Sequence, residues 1–232
     1  MTLPLIVVRP EPGCAASVAG GLALGLDTHG YPLFEVRPRA WTGPEGQFDG
    51  LLLGSANALR HAGPALETLR GIPVYAVGQS TAEAARQLGF AVASIGAAGL
   101  QSVLDGIAAP ARLLRLAGEE HVELTPPAGI TIETRIVYAS EPRPMPLELA
   151  DVLRAGAVVM LHSAAAARHF AAECERRGVP RANLRLATLG SRIAAAAGTK
   201  WTEVGTAAQP TEAALLALAA DLCHARSGRE GR

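Results

Sequence analysis

The sequence has few cysteines, and they lack the spacings that cysteine-based sites use. Its 232 residues contain three cysteines, Cys14, Cys174 and Cys223, which lie far apart in the chain. An odd number of cysteines with no C-x-x-C pair excludes a regular disulfide framework and gives no support to a zinc site. The pattern therefore predicts free thiols in a reducing cytosol.

An excess of one charge sign is also missing. The 21 Lys and Arg residues balance the 21 Asp and Glu residues, so the formal net charge is +0 and there is no broad basic footprint for nucleic acid. Charged residues interrupt every alanine-rich run before it could span a bilayer, and residues 1–10 lack the basic start of a signal peptide. We therefore expect a cytoplasmic protein with neither a nucleic-acid nor a membrane partner.

The motifs of common cofactor-dependent and metal-dependent enzymes are absent. Neither G-x-G-x-x-G nor G-x-x-x-x-G-K-[ST] occurs, which removes the main support for a dinucleotide site or a P-loop. The six histidines show no metal-ligand spacing such as H-E-x-x-H, so no metal site is predicted. With 49% hydrophobic and 18% charged residues, the composition is typical of a folded α/β protein rather than a disordered chain.

What the sequence does contain is an internal repeat. Residues 51–61 (LLLGSANALRH) read as an apolar strand that runs through Gly-Ser into a helix, and residues 158–169 (VVMLHSAAAARH) repeat this pattern with Ser163 in place of Ser55. Further on, residues 75–88 correspond to 187–197 and residues 99–107 to 210–218. The chain therefore contains two copies of one strand-helix-strand-helix unit.

The repeat predicts two similar lobes with parallel sheets. Strands that alternate with helices build parallel sheets, which bind ligands at the carboxyl ends of their strands. One strand and helix precede the first copy, and no matching pair precedes the second. The simplest completion joins residues 1–36 with residues 145–232 in a discontinuous lobe and leaves residues 40–138 as a continuous lobe.

Proline-rich segments near residues 37–39 and 139–144 are the predicted linkers between the lobes, because proline removes a backbone donor and interrupts regular hydrogen bonding. The alternating segment 131–138, which leads into the second linker, is typical of an edge strand with one solvated face. Residues 56–69 are predicted to form one helix, and residues 227–232 a frayed end.

Four turns at which a strand meets a helix are the candidate binding sites. Ser55, Gly78, Ser163 and Gly190 stand at these turns, where the first N–H groups of a helix can receive an anion. The substrate-binding residues predicted there are Ser55, Ala56, Gly78, Ser80, Thr81, His162, Ser163, Ala164, Gly190 and Ser191. A serine nucleophile is disfavoured, because neither serine lies in the G-x-S-x-G sequence of a hydrolase elbow.

Two further residues are singled out by position. Arg9 ends the first predicted strand, so its charge falls at the binding edge of the sheet, where ligand contact and a surface ion pair are both open. Tyr138 ends the alternating strand next to the second linker, where an ordinary edge-strand tyrosine is the alternative to a functional one.

Taken together, these segments resemble the uroporphyrinogen-III synthase family over almost the whole chain. The matching segments are VVRP (7–10), LLLGSANAL (51–59), YAVGQSTAEAARQLGF (75–90), LLRLAGEE (113–120), IVY (136–138) and QPTEAALLAL (209–218). The resemblance implies an α/β fold of two similar, flavodoxin-like parallel-sheet lobes, joined by a two-stranded linker, with the active site in the cleft between them. It also implies an enzyme without metal or organic cofactor, and we expect a monomer.

The resemblance further implies a reaction. The family closes the linear tetrapyrrole hydroxymethylbilane into a ring and inverts its last pyrrole, ring D. Loss of the ring A hydroxyl gives an azafulvene, ring D attacks to form a spiro intermediate, and rearrangement completes the macrocycle. By resemblance, Tyr138 matches the tyrosine that helps the hydroxyl leave, and Arg9, Ser55, Thr81 and Ser163 match binding residues.

The chain also departs from the family pattern in places. Ile193 replaces a threonine of the second glycine turn, His162 replaces a threonine, Ala164 a proline and Ala117 an arginine. The loss at Ile193 favours an alternative, a non-catalytic two-lobed binding protein for an anionic small molecule, whereas Tyr138 argues against it. A hydrolase that uses Ser55 or Ser163 is a third reading, disfavoured by the missing elbow glycine.

Overall fold

The computed structural model, which describes residues 2–97 and 99–224, divides into two compact units. One unit is formed by the described residues up to Glu35 together with those from Pro142 onward, and the other by Val36–Glu141. The predicted frayed end at 227–232 lies outside the described residues.

Strands and helices alternate along most of the chain. They are β1 (Leu5–Val7), α1 (Gly13–Ala23), β2 (Thr28–Gly30), β3 (Phe34–Pro38), β4 (Gly50–Leu53), α2 (Ala56–His61), β5 (Val74–Val77), α3 (Gln79–Gln87), β6 (Val92–Gly96), α4 (Leu100–Asp105), β7 (Ala111–Gly118), β8 (Ile130–Pro142), α5 (Leu147–Ala155), β9 (Ala157–Leu161), α6 (Ala164–Arg176), β10 (Leu184–Thr188), α7 (Ser191–Ala197), β11 (Glu203–Thr206) and α8 (Glu212–His224). Short 3-10 helices cover Gly63–Leu69 and Arg181–Asn183.

The discontinuous unit contains a parallel sheet in the order β11-β10-β9-β1-β2. The first strand of the chain lies inside this sheet, with Val7 opposite Met160 of β9 and opposite Gly30 of β2. Numbered along the chain, this is the 2-1-3-4-5 order of flavodoxin-like folds. The strand β2 was not predicted, because its sequence Thr-His-Gly is short and carries no apolar pattern.

The Val36–Glu141 unit repeats this arrangement with its strands in a permuted order. Its sheet runs β3-β8-β7-β4-β5-β6, in which β7 and β8 take the places that β1 and β2 take in the other sheet. At the edge, β3 lies antiparallel to β8, with the Arg39 N–H donating to Val137 O and the Arg143 N–H donating to Leu33 O, both at 2.9 Å. The predicted α/β fold class is therefore confirmed, with one parallel sheet and a second sheet that is parallel except for its edge strand β3.

Two local predictions were wrong. The segment that contains 131–138 is not an edge strand, because β8 lies between β7 and β3. The single helix over 56–69 is broken, because Gly63 has a φ of +64° and Pro64 follows it. Both proline-rich segments lie at strand ends, with 37–38 in β3 and 139–142 in β8, and the boundaries of the lobes as linked domains stay a prediction.

Apolar side chains cover both faces of each sheet, as expected of parallel strands. In the discontinuous unit, α5, α6 and α7 pack on one face and α1 and α8 on the other. In the Val36–Glu141 unit, α2 and α3 pack on one face and α4 on the other. Strands β4 and β9 are buried along their whole length.

The three cysteines are free thiols, as the sequence predicted, and all three are buried. Burial raises the pKa of Cys14 and of Cys223 to about 11 and that of Cys174 to about 12. Thiols with such values stay protonated at neutral pH and act as small apolar core residues.

A buried carboxylate ties the start of α5 to α6. Glu173, whose side chain is 9% exposed, accepts the Met145 N–H at 2.5 Å and the Arg176 Nε–H at 2.7 Å. The hydrogen bond from Arg176 lowers the pKa of Glu173, burial opposes this, and the Met145 N–H lowers it further, to about 2. The ionised form therefore stabilises the folded unit.

We expect Glu173→Gln to lower the free energy of unfolding at neutral pH by about 1–2 kcal/mol, because the charge is lost from the hydrogen bonds that Met145 and Arg176 donate. Since the pKa falls on folding, wild type keeps this contribution above about pH 4.5 and loses it as the pH falls towards 2. Denaturant unfolding should therefore show a difference between wild type and variant that shrinks near about pH 3. The matched control is Glu175→Gln on the exposed side of the same helix; an equal loss in both variants would contradict the assignment.

Candidate functional site

Each sheet carries two of the predicted turns at the carboxyl ends of its strands. In the Val36–Glu141 unit, β4 leads into α2 at Ser55 and β5 leads into α3 at Gly78. In the discontinuous unit, β9 leads into α6 at Ser163 and β10 leads into α7 at Gly190. The first N–H groups of a helix have no intrahelical acceptor and carry the positive end of the dipole, so each edge offers donors for an anion.

The two serines are helix caps. Ser55 Oγ accepts the Asn57 N–H at 3.2 Å, and Ser163 Oγ accepts the Ala166 N–H at 3.1 Å. Within the described residues, neither hydroxyl forms a hydrogen bond with a histidine or a carboxylate, which an activated nucleophile needs. The geometry therefore supports capping and not a hydrolase nucleophile.

The glycine turns expose two of the predicted hydroxyls and bury a third. Gly78 has a φ of +75°, a conformation that favours glycine, whereas Gly190 is extended. Ser80 and Ser191 lie exposed in the first turns of α3 and α7. Thr81 is only 3% exposed, so its hydroxyl has little surface to offer a ligand.

The remaining turn residues contribute backbone rather than side chains. Ala56 is 6% exposed, and Ala164 is half-buried at the first position of α6. Ile193 packs against the apolar core of its unit, which explains how an apolar residue is accommodated where the family has threonine. Any hydroxyl contact at this turn therefore falls to Ser191.

Arg9 and His162 converge on one carboxylate, that of Glu212 at the start of α8. Arg9 Nη1 and His162 Nε2 each lie 3.0 Å from Glu212 Oε2, and the Ser17 hydroxyl donates to the other carboxylate oxygen. Gly13 makes room for this arrangement, because a Cβ at that position would lie 2.5 Å from Arg9 Nε. The positive charge of Arg9 is therefore neutralised within its own unit.

The electrostatics of this cluster favour an ionised carboxylate. Burial alone would raise the pKa of Glu212, but the hydrogen bonds from His162 and Ser17 and the charges of His162 and Arg9 lower it to about 2. The His162 side chain is 9% exposed, and its Nδ1 has no hydrogen-bond partner among the described residues. Nε2 of His162 is engaged by Glu212 and Nδ1 is buried, so His162 supports the turn before Ser163, and its predicted contact with a substrate stays a prediction.

Tyr138 lies over a glycine at the end of the neighbouring strand. A Cβ on Gly118 would lie 2.7 Å from two ring atoms of Tyr138, so the ring packs directly on this backbone. The His61 ring lies beside it, with 6.3 Å between the ring centroids. Burial, together with the positive charge of Arg60, lowers the pKa of His61, so the ring next to Tyr138 is neutral at neutral pH.

Sequence reasoning missed Glu212 and His61 as parts of these clusters. Both stood in segments that carried the repeat or the family resemblance, QPTEAALLAL and LLLGSANALRH. Glu212 directly follows Thr211 near a predicted helix start, and His61 has an equivalent in His169. These were the available signals, but neither indicated which side chain each residue would contact.

The described residues contain no group of three or more His, Cys, Asp or Glu side chains that could hold a metal ion. None of the helices in residues 2–97 and 99–224 combines the length and apolarity that crossing a membrane requires.

Comparison with known proteins gives one family and several similar structures. The family model described as "Uroporphyrinogen-III synthase HemD" matches residues 18–217. The crystal structure of uroporphyrinogen-III synthetase from Helicobacter pylori is similar with a TM-score of 0.66 and 19% identity, covering 95% of this chain and 99% of that one. A mutant uroporphyrinogen III synthase from the extremely thermophilic bacterium Thermus thermophilus has a TM-score of 0.51 and 14% identity, covering 93% and 97%. No curated protein sequence matches the chain.

The capping geometry predicts mild effects of removing the two hydroxyls. Ser55→Ala and Ser163→Ala should each lower the free energy of unfolding by about 0.5–2 kcal/mol, because one cap is lost while the backbone donors of the turn remain. Product formation by the folded variants should stay within about tenfold of wild type, since roughly 1.4 kcal/mol corresponds to tenfold. Urea unfolding and initial rates check this; loss of all turnover with the fold intact would restore the nucleophile.

Proposed function

The chain belongs to the uroporphyrinogen-III synthase family, and from this membership we propose that it converts hydroxymethylbilane into uroporphyrinogen III in haem biosynthesis. The family match over residues 18–217 carries this proposal, because it includes all four strand-end turns and Tyr138. The enzyme is a cofactor-independent lyase, in which ring closure releases water.

The turns are suited to the charges of this substrate. Hydroxymethylbilane carries acetate and propionate arms on its pyrroles, and these carboxylates need donors rather than metals. Helix N-termini at Ser55, Gly78, Ser163 and Gly190 supply oriented N–H groups without a strongly basic surface, which agrees with the formal net charge of +0. In this proposal, exposed Ser80 and Ser191 add hydroxyl contacts.

Tyr138 is the residue proposed to act on the reacting group. Its phenol hydroxyl can donate a hydrogen bond to the ring A hydroxyl as the C–O bond of that group breaks. The pyrrole nitrogen of ring A supplies the electron pair that forms the azafulvene, so the phenol has only to stabilise the departing oxygen. Packing of the ring on Gly118 and beside His61 limits the orientations of that hydroxyl.

A second candidate function is a two-lobed binding protein that holds the same anionic ligand without converting it. The observation in its favour is Ile193, which packs into the core where the family has threonine. The position of Tyr138 on Gly118 favours the enzyme instead. We further propose that the protein works in the cytoplasm as a monomer, which agrees with its balanced charge and free thiols.

The isomer of the product separates the two functions. Hydroxymethylbilane closes unaided to the symmetric type I ring, whereas inversion of ring D gives type III. We expect the purified protein to give the type III isomer as the main product when the ring isomers are separated chromatographically. Formation of the type I isomer at the rate of the protein-free reaction would refute the enzymatic function and leave only the binding function.

We expect Tyr138→Phe to keep the fold and the substrate affinity but to lower kcat for type III product by about tenfold or more, near the low end of general acid catalysis. Gly118→Ala is the companion variant, because its added Cβ displaces the Tyr138 ring while leaving the phenol in place. Gly118→Ala should also lower kcat. Unchanged kcat in a correctly folded Tyr138→Phe protein would remove this residue from the mechanism.

A further inference from the structure

The registers of the two sheets show which strand positions are equivalent in the two units. Arg115 lies opposite Leu52 in one sheet, and Val7 lies opposite Met160 in the other. Because alignment of Ser55 with Ser163 places Leu52 on Met160, Arg115 is the equivalent of Val7. Two positions further along each strand, Ala117 is the equivalent of Arg9.

Arg115 is a charged residue at a position where the other unit has a buried apolar side chain. Val7 is 0% exposed and belongs to an apolar cluster, whereas Arg115 is 7% exposed on a strand flanked by buried leucines. Burial lowers the pKa of Arg115, and the charge of Glu123 opposes this. The equivalence with a valine indicates that the fold does not need a charge here.

The guanidinium of Arg115 has no direct partner among the residues that the structure describes, although the charge of Glu123 acts on it from beyond ion-pair distance. Within these residues it makes no side-chain hydrogen bond and no ion pair, although a buried charge is costly unless it is paired. Its nitrogens are not among the fully buried unpaired atoms of the described residues, so they reach solvent through the small exposed part of the residue. Arg112, three residues earlier, shows the ordinary case, with its Nη2 3.1 Å from Glu133.

The contrast with Arg9 explains why Arg115 is left unpaired within the described residues. Arg9 is neutralised by Glu212, and the repeat places Gln101 at the position equivalent to Glu212. The Gln101 amide is used elsewhere, donating to Thr125 O at 3.0 Å and accepting the Thr125 N–H at 2.9 Å. The Val36–Glu141 unit therefore keeps an arginine charge and has a neutral amide where its counterpart has the balancing carboxylate.

Arg115 also lies where a ligand of this fold binds. Side chains at positions i and i+2 of a strand share a face and are roughly 6.6 Å apart, a distance that an arginine side chain can span. The Arg115 guanidinium can therefore reach the level of Ala117 at the carboxyl end of β7. Strands β7 and β4 are neighbours at the point where the strand order of this sheet reverses, which is where open α/β sheets bind ligands.

We propose that Arg115 is a substrate-binding residue that pairs with one carboxylate arm of the tetrapyrrole. This inference rests on the proposed function. It pairs the positive charge of Arg115 with a carboxylate of the substrate. An arginine can hold a carboxylate through two parallel hydrogen bonds, and the partial burial of Arg115 strengthens such a pair relative to one in water.

The test replaces the charge by an apolar side chain of similar length. Arg115→Met should raise KM for hydroxymethylbilane and Kd for uroporphyrinogen III by about tenfold or more, with kcat largely retained, because the lost contact binds an arm and not the reacting carbon. The melting temperature should stay the same or rise, since an unpaired buried charge is removed. Should Arg115→Met not fold, Arg115→Lys keeps the charge without the two-pronged geometry and should raise KM to a smaller degree.

The matched control is Arg185 on β10, which is equally buried but partnered. It is 4% exposed, donates Nη1 to Leu222 O at 2.7 Å and lies 3.7 Å from Glu203. Arg185→Met should lower the melting temperature by several degrees and leave KM and Kd unchanged, which is the opposite pattern.

Each outcome decides the proposal. Unchanged KM and Kd in folded Arg115→Met, or a lower melting temperature with unchanged Kd, would overturn it and give Arg115 a structural role or none. A wild-type protein that forms only the type I isomer would refute the proposed function alone. In that case the ratio of the Kd values of Arg115→Met and wild type for uroporphyrinogen III still decides whether Arg115 binds a carboxylate.

Discussion

The parallel pairing of Leu5–Val7 with Val158–Met160 is the constraint on which the discontinuous unit depends. It brings the beginning of the chain into the middle of a sheet whose other strands come mainly from the end of the chain. Because Val7 lies opposite Met160, continuing the register by two residues sets Arg9 opposite His162. Because the helix α8 begins at this edge with Glu212, Arg9 Nη1 and His162 Nε2 each lie 3.0 Å from Glu212 Oε2. One strand register thus places a charge cluster whose members are distant in sequence.

The same arrangement, permuted, builds the Val36–Glu141 unit, but its charges are distributed differently. There the strand equivalent to β1 carries its arginine two positions earlier, and the position equivalent to Glu212 holds Gln101. One unit therefore has an arginine neutralised by a carboxylate, and the other has an arginine that forms no ion pair with a described side chain. The two copies share their backbone donors at the strand ends and differ in their cations.

Much of the fold could be predicted because local patterns determine it. The apolar runs that open both copies of the repeat are strands, and the glycine and serine turns begin helices where the repeat indicated. Long-range pairing was harder. The place of β8 inside its sheet depends on its antiparallel partner β3, which local alternation cannot reveal, and β2 exists because β1 offers it an edge.

The candidate site was predictable only as far as backbone chemistry extends. The strand-end turns and the helix caps at Ser55 and Ser163 follow from local sequence. The partners of side chains do not follow from local sequence, because residues distant in the chain determine the surroundings of Glu212 and Arg115. Arg115 in particular is the third residue of an otherwise apolar LLRLA run, and only the structure shows that its charge has no partner among the described residues.

The central claim is that strand-end donors and one unneutralised arginine hold the carboxylate arms of a tetrapyrrole. A crystal structure of the protein with bound uroporphyrinogen III tests it most directly. The account predicts a substrate carboxylate at about 2.7–2.9 Å from the Arg115 guanidinium, with Arg9 still paired to Glu212 and other carboxylates on the turn N–H groups. A product bound without any carboxylate on Arg115, or one that displaces Glu212 from Arg9, would contradict it.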